Sequence, residues 1–464
     1  MNDRALSIDA LRGYAIITMV LSASIVSGIL PGWMYHAQLP PPTHTFNPDL
    51  PGLTWVDMVF PMFLFAMGAA FPFSIMKKFQ KGISKMRLSV SAIWRSVQLT
   101  FFAILIQHYY PYMTGGGMSS WLLAIFCFAL LFPIFMRLPW KMSNWVRLAI
   151  QLSAMAIGII VIHCINYPNG YTFDMHTSNI IILILANMAL FASLLYIITI
   201  NHPKLRIAIL MILFGVMLAA TVEGSWANKF MSYTPVTWFY NPVYLKYLYI
   251  VIPGCLAGEI IAKWLVEHKN STVKTATSTI AWSTLAITLA IVAANLYCLY
   301  MRYLGINIII TLILLACGWF TLRHAKGYGA LWYKLFMLGA FMLLLGLAIE
   351  PFEGGIKKDP VTFTYLFTTA GLSFMTLIFF SVLCDFFRCN KGTAFIVMTG
   401  QNPMLAYVSG SLLILPLLQI CGVWDYFTVF NQSPWLGFTQ GLILTSITVL
   451  ITMFFTKIKF LWRT

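Results

Sequence analysis

Only a few side chains in this sequence could move protons or bind anions in an apolar setting, and they fall into four clusters. The first is Ser7-Ile8-Asp9-Ala10-Leu11-Arg12-Gly13, where an acid and a base three residues apart share one helical face. Asp9 and Arg12 could therefore pair with each other. The same residues also suit a plain helix start, with Ser7 as cap, Asp9 at the positive end of the dipole and Arg12 as an anchor. The second cluster is Trp33-Met34-Tyr35-His36-Ala37-Gln38, followed by Pro40-Pro41-Pro42, His44 and then Gly52-Leu53-Thr54-Trp55-Val56-Asp57. Prolines stiffen such a loop, and the imidazole of His36 can take a proton near neutral pH; a purely structural histidine is the competing account. Thr54-x-x-Asp57 has capping-box spacing. The third cluster, Gly400-Gln401-Asn402-Pro403-Met404-Leu405-Ala406-Tyr407, breaks an apolar run. Asn402 there can cap a helix opened by Pro403, or mark unwound backbone lining a cavity. The fourth, Glu350-Pro351-Phe352 through Ile356-Lys357-Lys358-Asp359-Pro360, is a turn of mixed charge that solvation alone explains.

What must position these residues follows from composition. Of 464 residues 60 % are hydrophobic and only 9 % charged, against about a quarter charged in a soluble domain. Apolar blocks of roughly 17–25 residues, long enough to cross the hydrocarbon of a bilayer as helices, alternate with short polar connectors. Period-two alternation is absent, which argues against a β-barrel. The predicted spans are 9–30, 55–75, 89–109, 119–136, 146–165, 178–199, 207–223, 244–266, 277–300, 305–322, 331–349, 361–384, 400–419 and 436–456. The expected fold is all-α: one integral-membrane domain over residues 1–464, a polytopic bundle of about 12 to 14 helices.

Orientation follows from the excess of Lys and Arg in cytoplasmic loops. With the amino terminus inside, 23 of the 29 basic residues fall on inner segments, among them Arg4, Arg137, Lys141, Lys269, Lys274 and Arg463. Five fall outside (Lys229, Lys246, Arg302, Lys357 and Lys358), and Arg95 lies within a span. Both termini are thus expected on the cytoplasmic face of the inner membrane. The net charge of +16 is spread over these segments, which argues for membrane topology and against nucleic acid. The eight cysteines, mostly within spans, show no paired loop spacing and read as apolar filler, with neither a disulfide framework nor a metal site.

Taken in order, the clusters resemble the family of heparan-α-glucosaminide N-acetyltransferase, polytopic enzymes that move acetyl groups from acetyl-CoA to a sugar amine across a membrane. Ser7-Ile8-Asp9 with Arg12-Gly13 resembles the family's Ser-x-Asp-x-x-Arg-Gly opening, and His36-Ala37 its His-Ala pair. Gly52-Leu53-Thr54 with Asp57 and Val59-Phe60-Pro61 is similar to its Gly-Leu-Thr-x-x-Asp-x-Val-Phe-Pro stretch. Leu256-Ala257-Gly258, Ile356 to Lys358 and Gly400 to Tyr407 resemble later family segments. Two departures stand out: a proline insert carrying His44, which leaves open whether His36 or His44 is the base, and Ala23 or Ser24 where the family has an Asn. The resemblance implies acetyl-CoA as co-substrate, with Asp9 and Arg12 at its phosphates and the thioester reaching His36 as general base or acetyl carrier. It implies Asp57 as the orienting acid, Asn402 as donor to the thioester oxygen, and His44, Lys358 and Gln401 as contacts to a sugar or glycan acceptor. A secondary transporter or flippase without acyl transfer is the alternative, since broken helices also build carrier sites; a scaffold ranks below both. A homodimer is kept as an oligomeric option.

Overall fold

A computed structural model describes residues 5–136, 143–165, 167–268 and 277–462. Arg4, Arg137, Lys141, Lys269, Lys274 and Arg463, counted above as inner cations, lie outside the described residues. The membrane helices are α1 (Leu6–Ser24), α2 (Trp55–Gln80), α3 (Lys85–Tyr109), α4 (Met118–Phe135), α5 (Trp145–Cys164), α6 (Ile180–Ile198) and α7 (Pro203–Ala219), followed by a second set. That set is α8 (Pro242–Glu267), α9 (Ser278–Tyr300), α10 (Leu304–Leu322), α11 (Tyr328–Phe352), α12 (Phe363–Phe386), α13 (Pro403–Ile420) and α14 (Pro434–Lys457). Thirteen of them are long and apolar enough to cross a bilayer. The other, α7, starts and ends four residues earlier than the predicted span 207–223 and holds 17 residues, the short limit for a crossing. Apart from one isolated bridge between Met136 and Trp462, no β-pairing occurs among the described residues. The chain is a multi-pass helical membrane protein, as its composition predicts.

The bundle is graded from a dry centre to a lipid-facing rim. In α12, 89 % of the apolar stretch is buried, against 17 % in α5 and 22 % in α10. Helix α12 packs on α11, α9, α8, α2 and α1, and two of its threonines return their hydroxyls to carbonyls of their own helix, Thr369 to Tyr365 and Thr376 to Leu372. That lets a central helix carry polar residues without unsatisfied groups on those two side chains, while the buried hydroxyls of Thr364 and Thr368 find no partner among the described residues.

Two close helix crossings set the frame of the site. Gly254 and Gly258 of α8 lie directly on the backbone carbonyls of Phe65 and Ala69 in α2, leaving no room for a Cβ. The short helix Asn390–Gln401 meets α1 in the same way, Gly400 against the Asp9 carbonyl and Gly13 against that of Ile396. Small residues are what permit such approach in lipid. The expected Ser7 cap is not found: the N-cap position is Ala5, and the orphan amide of Leu6 donates to Asp385 Oδ1 at 3.1 Å. A carboxylate from α12 thus does the work a local hydroxyl was expected to do.

Candidate active site

The start of α2 organises one end of the bundle. Asp57, in the first turn and buried, accepts from the Thr54 amide at 3.1 Å and the Thr54 hydroxyl at 3.0 Å through Oδ2. The capping geometry anticipated from spacing is present. The same oxygen accepts from the Ala37 amide at 3.1 Å, while Oδ1 lies 2.6 Å from His36 Nδ1. Capping and orienting the imidazole are therefore done by one carboxylate, one oxygen for each. Tyr365 of α12 donates to the Asp57 carbonyl at 2.8 Å, tying this turn to the central helix.

With Nδ1 donating to Asp57, the imidazole keeps its lone pair on Nε2, the atom a base or nucleophile needs. The His36 side chain is 33 % exposed and that of Asp57 only 3 %, so the ring has one accessible edge and one locked edge. Lys358 Nζ lies 3.3 Å from Nδ1 and 3.5 Å from Nε2. Near-equal distances to both nitrogens put the ammonium over the ring and off the line of the Nε2 lone pair. Burial holds the Lys358 amine below the usual lysine range, against the opposing pull of Asp57 and Asp359.

Two loops from distant parts of the chain are clamped together to make this arrangement. Gln38 donates to the Asp359 carbonyl at 2.5 Å and accepts from the Asp359 amide at 3.0 Å, and the Gly52 amide donates to the Ile356 carbonyl at 2.9 Å. Tyr35 pins the other side: its hydroxyl donates to the Val26 carbonyl at 2.6 Å and accepts from the Leu30 amide. Glu353 receives the Phe363 and Thr364 amides, which anchors the Lys358 loop to α12. Gln38, Tyr35 and Tyr365 were not singled out from sequence. Their flanking of His36, or their burial in a polar-rich apolar helix, was the only available signal.

The remaining candidates are not gathered here. His44 packs edge-on against Tyr35 with centroids 4.5 Å apart, and its Nδ1 lies 3.1 Å from the Leu39 carbonyl; it is His36 and not His44 that meets Asp57. Asp9, Arg12, Gln401 and Asn402 belong to the opposite end. Arg12 Nη2 donates to the Ala66 carbonyl of α2 at 3.4 Å, nine residues, or about 14 Å of helix rise, below Asp57. Arg95 of α3 lies within electrostatic reach of Arg12, so two guanidinium groups share this region. Asn402 occupies the N-cap position before Pro403, but its side chain makes no capping bond there. Its side chain donates to the Phe460 carbonyl at 2.9 Å and accepts from the Trp462 amide at 3.1 Å, tying the break to the chain's last turn, roughly 20 Å of helix from the His36 end. Gln401 precedes it at the end of the short helix.

A family described as a domain of unknown function, DUF5009, matches residues 4–261, a stretch containing His36, Asp57, Asp9 and Arg12. Over 104 residues the chain is 36 % identical to heparan-alpha-glucosaminide N-acetyltransferase of Homo sapiens, a likeness covering 22 % of this chain and 14 % of the human protein.

Proposed function

Because the chain belongs to the DUF5009 family, a domain of unknown function, its activity has to be read from its own chemistry, and we propose a membrane acyltransferase. The observation that carries this reading is the His36–Asp57 pair, an imidazole with one edge locked by a buried carboxylate and the other accessible. The partial likeness to a human N-acetyltransferase supports it. The donor is acetyl-CoA and the acceptor a sugar or glycan at the opposite face. The protein sits in the cell inner membrane with both termini in the cytoplasm, in line with its distribution of basic residues.

Arg12 and Arg95 fit the donor, since two guanidinium groups within electrostatic reach of one another suit a polyanion. The distance along α2 from Arg12 to the His36 level is one that an extended pantetheine arm can cover. When bound, acetyl-CoA supplies an acetyl group activated as a thioester. His36 Nε2 takes the proton of the acceptor amine or hydroxyl as that group attacks the thioester carbonyl, and gives it to the CoA thiolate released when the C–S bond breaks; alternatively Nε2 itself displaces the thiolate and passes the acetyl group to the acceptor. Asp57 holds Nδ1–H and stabilises the imidazolium. Lys358, beside the ring, would stabilise charge building on the acyl oxygen, the role expected of Asn402. Asp9 lies three residues before Arg12 on the same face of α1.

The test is purified protein with radiolabelled acetyl-CoA, read as acetyl transfer to amino sugars and as release of CoA. The wild-type protein is expected to show one or both, His36→Ala neither, and Arg12→Ala a raised KM for acetyl-CoA. A carrier, the reading favoured by the helix break at Asn402, would leave acetyl-CoA intact in every variant.

A further inference from the structure

A second feature at the His36 end takes no part in the chemistry above. A cavity of about 410 Å³, within the size range of ligand pockets, lies between the end of α1, the middle of α13, the segment Trp424–Gln432 and α14. It adjoins the His36 loop: Val26, which lines it, accepts the Tyr35 hydroxyl. We propose that this cavity binds the uncharged sugar head of a membrane glycolipid, and that such a lipid is the acceptor. The binding claim stands by itself; its role as acceptor rests on the acyltransferase reading.

Three observations select that chemistry. First, among the described residues no charged side chain lines the cavity, so it offers no ionic partner to a phospholipid phosphate. Second, Ser24, Ser27, Ser411 and Asn431 line it, and their side chains make no hydrogen bond within the described chain, so hydroxyl and amide groups remain for a polyhydroxylated ligand. The π-helical turn Gly410–Ile414 widens α13 at this point, as such turns often do at binding sites. Third, Trp424 and Phe427 stack 5.1 Å apart at 12° in the wall, a flat apolar face of the kind a sugar ring packs on. The depth is set by the same segment. Tyr426 and nearby Trp435 are exposed at 77 % and 83 %, which places this edge at the boundary of hydrocarbon and water. A ligand entering beside it has its head in the cavity and its tail in the bilayer.

The experiment is native mass spectrometry of the full chain in detergent, offered equal amounts of a monoglucosyl diacylglycerol, the same diacylglycerol without sugar, and phosphatidylglycerol. The sugar lipid is expected to be retained over both others. Ser411→Trp, which fills the cavity, should abolish the preference, and Asn431→Ala should reduce it about tenfold, the size of one or two lost hydrogen bonds. Equal retention of the sugar-free lipid or of phosphatidylglycerol overturns the proposal, as does a preference unchanged in Asn431→Ala, which remains decisive if Ser411→Trp fails to fold. Retention without acetyl transfer to any acceptor removes the acyltransferase reading and leaves the binding site.

Discussion

The two ends of the bundle carry similar side chains and use them differently. At the His36 end, a carboxylate and an imidazole meet through two loops clamped by Gln38 and Tyr35, and one ring edge stays accessible. At the Arg12 end, Asp385 and Asn402 hold the chain itself, one at the Leu6 amide and the other at Phe460 and Trp462. Polar groups at membrane depth are costly wherever they sit. What distinguishes the ends is whether their hydrogen bonds close on backbone or leave a reactive atom uncovered.

Exchanging the damage tests this distinction most strongly. His36→Ala should lower acetyl transfer by about 10³-fold, the scale of a lost general base, with little change in thermal unfolding. Asn402→Ala should do the reverse, leaving transfer within a few-fold and lowering stability by about 1–3 kcal/mol as two buried backbone groups lose their partner. A steep activity loss in Asn402→Ala at unchanged melting temperature would erase the contrast.

Asp57→Asn sits between the two, because this residue does both jobs. An amide cannot accept from His36, Ala37 and Thr54 at once. Transfer is expected to fall by about 10²-fold as the tautomer is lost, and stability by about 1–3 kcal/mol as the cap weakens. Circular dichroism melts and transfer assays on one preparation separate the two effects.

How much of this was legible in the sequence depends on the range of the interactions. The helices were, because an apolar run of bilayer length is a local signal; even α7, displaced by four residues, is in place. Thr54 and Asp57 were, because a capping box is written in four consecutive residues. The Lys358 contact and the Gln38 clamp were not readable from local pattern, since Gln38 and Asp359 are 321 positions apart and backbone pairing leaves no mark on residue type. Asn402 was recognisable as a helix break, but its partners lie at the far end of the described chain. Ser7 misled because its amide-capping task went to Asp385 of another helix.

Lys358 sharpens the comparison through pH. Its ammonium is favoured at low pH, and burial, opposed by Asp57 and Asp359, lowers the point at which it is lost. If that charge faces the acyl oxygen, transfer should decline on the alkaline side at a pH below the ordinary lysine range. Lys358→Arg keeps its charge throughout and should lose that alkaline limb, at a cost of a few-fold in rate. An unchanged limb in the variant would assign the decline to another group.

Gln38→Ala is the mildest and the most specific test of how the His36 end is built. Gln38 makes no hydrogen bond to the His36 or Asp57 side chain; it holds the Lys358 loop by a reciprocal pair of bonds to Asp359. Its loss should cost about 1 kcal/mol per bond at most, since loop backbone near the surface can turn to water. The imidazole keeps its carboxylate, so the protonation behaviour of His36, read by imidazole NMR, should change little. What should change is the position of Lys358, seen as a weaker alkaline limb and a rate lower by a few-fold. Gln38→Glu can still accept from the Asp359 amide but cannot donate to its carbonyl, and should fall between wild type and Gln38→Ala. An equal loss in both variants would mean that the donated bond alone holds the loops together.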